Sequence, residues 1–170
     1  LAQDFMKAGL FDRAEEAFKA LEGTAFATDA RLALLTLHER SRNWHPAIEV
    51  ARQLEASGTG SFSARIAHHW CEVALEADAR GHADEAEQAL RRAREVSPQS
   101  SRALVLQGQR LARQHQHADA LAVWDELMAL QPQAFALIAG DYAKVALAAG
   151  EPASQAALLR LDELLSLIHI

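Results

Sequence analysis

Cysteine is almost missing from this chain. Cys71 stands alone, so no internal disulfide forms and no four-cysteine zinc or iron–sulfur set can be assembled. Such usage fits a reducing compartment. Proline is scarce, with four residues in 170, and aromatic residues make up 6%. Ala and Leu dominate an apolar half of the sequence and lose little entropy in a helix, so the composition favours an all-α chain. No apolar run reaches the roughly 18 residues of a membrane-spanning helix. No secretory leader is visible. Positive charge is in deficit, with 17 Lys and Arg against 23 Asp and Glu and a net charge of −6. An acidic surface repels polyanions, so neither nucleic acid nor anionic lipid is expected as a main partner. A Gly-rich phosphate loop, a nucleophile motif and a Cys/His dyad are all lacking, which argues against an enzyme and against a cofactor.

What is present is repetition. Four stretches share one pattern: Gly9-Leu-Phe-Asp-Arg-Ala14 with Phe18 and Leu21; Asn43-Trp44 with Ala47, Ala51 and Leu54; Gly81-His-Ala with Ala86, Leu90 and Ala93; and His115-Gln-His with Ala120, Trp124 and Leu127. The aligned alanines are Ala14, Ala47, Ala86 and Ala120, separated by 33, 39 and 34 residues (47 − 14, 86 − 47, 120 − 86). A fifth unit has Gly150 at the turn and Gln155 in place of the alanine. A small residue belongs where two antiparallel helices approach most closely. Residues four and seven further on share its helix face. Glycine before the second helix supplies a positive φ. Pro98 and Pro132 end the third and fourth units. In the first helices, Ala2 and Phe5, Ala74 and Ala77, and Gly108 and Leu111 repeat a small-then-larger pair, and Trp70 is the aromatic residue that opens the third unit. The spacing predicts helix pairs near 1–21, 28–56, 64–96, 101–130 and 135–164. Ser57-Gly58-Thr59-Gly60-Ser61 reads as a flexible insertion between the second and third pairs.

These turn, small, aromatic and terminal-proline positions resemble the tetratricopeptide repeat. The resemblance implies a solenoid of about five antiparallel helical hairpins over residues 1–164. A narrower likeness lies in Asp4-Phe5-Met6-Lys7-Ala8-Gly9-Leu10-Phe11-Asp12-Arg13-Ala14-Glu15, in Arg65-Ile66-Ala67-His68-His69-Trp70-Cys71-Glu72-Val73-Ala74-Leu75, and in Trp44 with Ala47 and Ile48. Those segments resemble the cytoplasmic repeat region of the lipopolysaccharide assembly protein B family of Gram-negative bacteria. The family resemblance implies an N-terminal membrane anchor and a C-terminal rubredoxin-like metal knuckle outside this stretch. It also implies a role in restraining lipopolysaccharide synthesis by helping a membrane-bound AAA+ protease degrade the lipid A deacetylase. The implied location is the cytoplasmic side of the inner membrane. This sequence carries no Cys-x-x-Cys pair, and Cys71 cannot stand in for the knuckle.

The inward face of a repeat array is lined by the first helix of each hairpin. Aligning the units puts Gln3, Lys7, Thr36, Arg40, His68, Cys71, Leu75, Arg102, Val105, Gln109, Arg113 and Lys144 at inward positions. Within that set, Lys7, Arg40, His68, Arg102, Gln109, Arg113 and Lys144 form the candidate partner-binding groove. Five of these seven are Lys or Arg in an acidic chain, so the expected partner is a protein or an acidic, carboxylate-bearing peptide segment. Two classes of function stay open: an adaptor that binds proteins, general peptide-binding scaffolds included, and the repeat arm of a larger enzyme.

Other groups have plainer readings. His68 and Cys71 share a helix face as half a metal set would, but packing explains them better. His45, His82, His115 and His117 fall at hairpin turns and read as solvated turn residues. Glu15-Glu16 and Asp84-Glu85 suit the positive ends of second helices. The chain opens at Leu1 inside a helical pattern and reads as a piece of a longer one. Leu165-Ser166-Leu167-Ile168-His169-Ile170 resembles a translated sequencing adapter, so the native sequence is expected to diverge after Leu164.

Overall fold

A computed structural model describes residues 11–151 and 153–168. They form nine α-helices: α1 (Phe11–Lys19), α2 (Ala27–Arg40), α3 (Trp44–Ala56), α4 (Ser63–Ala79), α5 (Ala83–Val96), α6 (Ser101–Arg113), α7 (His117–Leu130), α8 (Ala139–Ala149) and α9 (Ala153–Ile168). A 3₁₀ segment, Pro132–Leu137, precedes α8. The all-α expectation holds, and the second, third and fourth predicted pairs fall within a residue of α2–α3, α4–α5 and α6–α7. The fifth pair starts later than predicted. Pro132 opens the tight 3₁₀ turn there, and regular helix resumes only at Ala139. The first helix of the first pair, with Ala2, Phe5 and Gly9, lies outside the described residues. The chain divides into two compact units, Leu1–Ser97 and Pro98–Ile170. Within each, successive helices pack on one another.

One turn design recurs. At the end of α2, the Asn43 N–H donates to the His38 carbonyl (2.8 Å) and the Arg42 N–H to Glu39 (3.1 Å). At the end of α4, His82 donates to Ala77 (2.9 Å) and Gly81 to Asp78 (3.0 Å); at the end of α6, Gln116 donates to Leu111 (2.9 Å) and His115 to Ala112 (3.1 Å). This paired bonding satisfies carbonyls that the helix end would leave orphaned, and it requires a positive φ at the middle residue. The last donor in each set is also the N-cap of the next helix. Its carbonyl accepts from Ala47, Ala86 or Ala120. The repeated alanine is therefore fixed five residues after the positive-φ position. Glycine was expected there, yet the structure uses Arg42 (φ 58°) and His115 (φ 60°) beside Gly81 (φ 79°) and Gly150 (φ 76°). A residue with a Cβ costs about 1–2 kcal/mol in that region, so these turns are held by their hydrogen bonds and by packing on either side.

The packing is what the alignment implied. Ala14, Ala47, Ala86 and Ala120 are all fully buried, as are Ala51, Leu54, Ala93, Trp124 and Leu127. In the second unit Gly108 of α6 lies against Trp124 of α7. A Cβ on Gly108 would stand 2.1 Å from the indole nitrogen, far inside contact distance. Gly108 is therefore the small residue that lets the largest core side chain of that hairpin lie flat on the neighbouring backbone. The indole N–H donates to the Val105 carbonyl one turn earlier (3.4 Å).

The 57–61 insertion is hydrogen-bonded, where a flexible stretch was expected. Gly58 (φ 76°) closes α3 with the same paired bonding as the hairpin turns. Glu55 then accepts from the Phe62 N–H (3.0 Å) and the Ser63 hydroxyl (3.1 Å), which caps α4 from a distance. Those bonds, the Phe62 N–H first, hold the Glu55 carboxyl below its usual range.

Candidate partner-binding surfaces

Of the seven predicted groove residues, the structure places two in the first unit and four in the second, while Lys7 and the adjacent Gln3 lie outside the described residues. In the first unit, Arg40 is exposed in the last turn of α2, and Thr36 is exposed one turn before it. His68 is exposed on α4, with Nε2 at 3.8 Å from Glu72. Leu75 is partly exposed, but Cys71 is fully enclosed. Cys71 is therefore a core residue and not an inward surface position. Its face of α4 carries Ala67, Ala74 and Trp70 into the packing, and a small error in helical phase had put it among the surface positions.

Beside Arg40 lies a polar knot that the sequence pattern did not single out. Glu39 of α2 accepts two bonds from the Arg65 guanidinium (2.6 Å each). Its Oε1 also lies 2.7 Å from His69 Nε2. His69 is 1% exposed, and its ring stacks on Trp44 of α3 (5.7 Å between centroids, 27° between planes). The Trp44 indole N–H in turn donates to Glu76 of α4 (3.0 Å). Burial pushes the His69 pKa down, with the Glu39 hydrogen bond opposing, and burial also pushes His38 down. For Glu39, burial raises the carboxyl but the hydrogen bonds from Arg65 and His69 outweigh it, so the net shift is downward. This arrangement ties α2, α3 and α4 together. Its charges are spent on one another.

In the second unit three predicted residues converge. Gln109 and Arg113 of α6, Trp124 of α7, and Asp141, Lys144 and Val145 of α8 line a cleft of about 420 Å³. The size lies in the range that holds small ligands or a few residues of peptide. Gln109 and Arg113 are four apart on α6, and Asp141 and Lys144 are three apart on α8, so each helix presents one face to the cleft. The Gln109 amide donates to Asp141 (3.0 Å), which joins the two helices across it. Asp141 was not foreseen, because aligning the weak fifth unit put only Lys144 of that unit at an inward position. Val105 is half-buried. Arg102 is exposed near the start of α6 and does not line the cleft. Seven residues of helix, about 10 Å, separate it from Gln109.

Behind the cleft, the Tyr142 hydroxyl donates to Asp125 (2.8 Å), and Arg160 of α9 pairs with the same carboxylate (2.7 Å). Burial, reinforced by Asp125, raises the Tyr142 pKa, so the phenol stays a donor. This bond ties α8 to α7.

The turn histidines take up different surroundings. His45 meets the edge of Trp70 (5.6 Å), His82 lies 3.1 Å from Glu85, and His115 and His117 meet edge to face (5.8 Å). Among the described residues no group of three His, Cys, Asp or Glu is placed to hold a metal ion, and no helix is long and apolar enough to cross a membrane.

No protein-family model matches the chain. Lipopolysaccharide assembly protein B of Escherichia coli strain K12 is 33% identical over 122 residues, which cover 71% of this chain and 31% of that protein. The protein of the same name from Haemophilus influenzae strain Rd is 28% identical over 133 residues, covering 78% of this chain and 33% of that protein. The chain thus spans about a third of the length of the curated relatives it matches. Among solved structures, a thermophilic tetratricopeptide-repeat protein of Thermus thermophilus is 19% identical, covering 94% of this chain and 86% of that one, with a TM-score of 0.40. The chain is an all-α protein of tetratricopeptide-type hairpins that resembles part of lipopolysaccharide assembly protein B.

Proposed function

We propose that this chain is the repeat portion of a non-catalytic adaptor that binds other proteins and acts in lipopolysaccharide synthesis. The observation that carries the reading is the cleft of the second unit. It gathers Gln109, Arg113 and Lys144 from two helices over an indole floor, in a chain similar to lipopolysaccharide assembly protein B. A guanidinium and an ammonium beside an amide bind carboxylate oxygens by charge-assisted hydrogen bonds. The partner is a protein segment that carries an acidic side chain, and Arg40, His68 and Arg102 are further contact candidates outside the cleft. In the finer form of the proposal, the whole protein is held at the cytoplasmic face of the inner membrane by an anchor beyond this stretch. There it presents the lipid A deacetylase to a membrane-bound AAA+ protease. A rubredoxin-like metal knuckle also belongs to that whole protein and not to this stretch.

The test is charge reversal in the full-length protein. The Arg113→Glu/Lys144→Glu pair is expected to weaken capture of the partner by about tenfold or more, with the loss smaller at high salt. The melting curve by circular dichroism should show a folded protein with only a small shift, because both side chains are exposed and Arg113 ends α6. Cells whose native copy carries the pair should accumulate the deacetylase. Undiminished capture by a folded double variant would remove the cleft from the mechanism.

A further inference from the structure

We infer that the second-unit cleft selects a mixed-charge segment, one that sets a Lys or Arg next to its Asp or Glu, and that Asp141 enforces the choice. The inference rests on the cleft being the partner-binding site. Three charged side chains line it: Arg113, Lys144 and Asp141. The two cations are exposed, whereas Asp141 is only partly accessible and is held by the Gln109 amide. Asp141 is thus a carboxylate held in place, one anion against two cations.

That asymmetry decides what fits. A segment with two acidic residues satisfies Arg113 and Lys144 but brings a carboxylate toward Asp141, where like charges meet beside a buried indole. A segment with an acid and a base places its carboxylate on the cations and its ammonium or guanidinium on Asp141. Ala112, half-buried, provides apolar surface along which the stem of a Lys or Arg lies. A segment with only basic residues meets two cations and one anion and is disfavoured. One partly exposed ion pair gained or lost is worth up to about 1 kcal/mol, or about fivefold in affinity.

The probes are three fluorescein-labelled Gly-Ser peptides of equal length, with Asp-Lys, Asp-Asp or Lys-Lys at the centre. Each is titrated with the whole chain at low salt and read by fluorescence anisotropy. The Asp-Lys peptide is expected to bind about fivefold more tightly than Asp-Asp, with Lys-Lys weakest. Asp141→Asn keeps an acceptor for Gln109 and should erase or reverse the preference between the first two. Asp-Asp binding as tightly as Asp-Lys to the unaltered chain, or an unchanged preference in Asp141→Asn, overturns the inference. The cleft itself then still stands, provided Arg113→Glu/Lys144→Glu weakens both acid-bearing peptides. If that pair leaves their binding unchanged, or if no peptide binds, the cleft reading falls and the selectivity with it.

Discussion

Trp124→Ala is expected to lower the unfolding free energy of the second unit by about 3–5 kcal/mol, the usual cost of emptying a large buried aromatic site. The indole is fully enclosed, lies on Gly108, meets Tyr142 at 6.3 Å between ring centroids and floors the cleft. The companion substitution sharpens the test. Gly108→Ala in an ordinary helix interior would stabilise by about 1 kcal/mol. Here the new methyl would stand 2.1 Å from the indole, which is buried and cannot swing away. Overpacking of that kind costs about 1–3 kcal/mol, so the net effect should be destabilising. In the Trp124→Ala background the same Gly108→Ala change should become neutral or stabilising. Urea unfolding of the four proteins in this cycle measures the reversal. A Gly108→Ala variant as stable as the parent would mean that α6 and α7 do not meet as described.

The second large effect is in the first unit. Glu39→Ala removes the acceptor shared by Arg65 and the enclosed His69, and should cost about 1–3 kcal/mol. The same site makes the unit acid-sensitive. His38 faces Glu15 and Lys19 of α1, and His69 faces Glu39, Arg65 and His68. Both pKa values are lowered from 6.5 mainly by burial, so both rings are held neutral in the folded state. Their contribution is present above pH 6.5 and is lost as pH falls below it. Glu39, depressed from 4.5, adds a second loss at more acidic pH. Hydrogen exchange resolved by segment should show α2 and α4 opening more readily at pH 5 than at pH 7. His38→Leu should blunt that change and leave the fall below pH 4.5 in place. Equal protection of α2 at pH 5 and pH 7 would count against a neutral, enclosed His38.

Much of this architecture was legible because the repeat constrains it physically. The alanines Ala14, Ala47, Ala86 and Ala120 mark helix contacts that tolerate only small side chains, and their period set the helix pairs. The positive-φ position five residues earlier was legible at Gly81 and Gly150 but not at Arg42 and His115. There the hydrogen bonds of the turn force a backbone that the residue type does not advertise. Gln109, Arg113 and Lys144 meet because helical spacing of three and four places them on facing sides of α6 and α8. Asp141 stayed hidden because the fifth unit departs from the repeat pattern, and its alignment put only Lys144 at an inward position. Cys71 was misplaced for a different reason. It sits at the border between two faces of α4, where a small error in helical phase moves a side chain from surface to core.

If the second-unit cleft binds a protein segment, a photo-crosslinking residue placed in it should capture that segment. Place the probe at position 109 in the protein in living cells, with a control probe at the exposed position 122 of α7. A protein adduct is expected from position 109 and is lost when Arg113→Glu/Lys144→Glu is added, with little adduct from position 122. An adduct from position 122 with none from position 109, in a protein that melts normally, would contradict it.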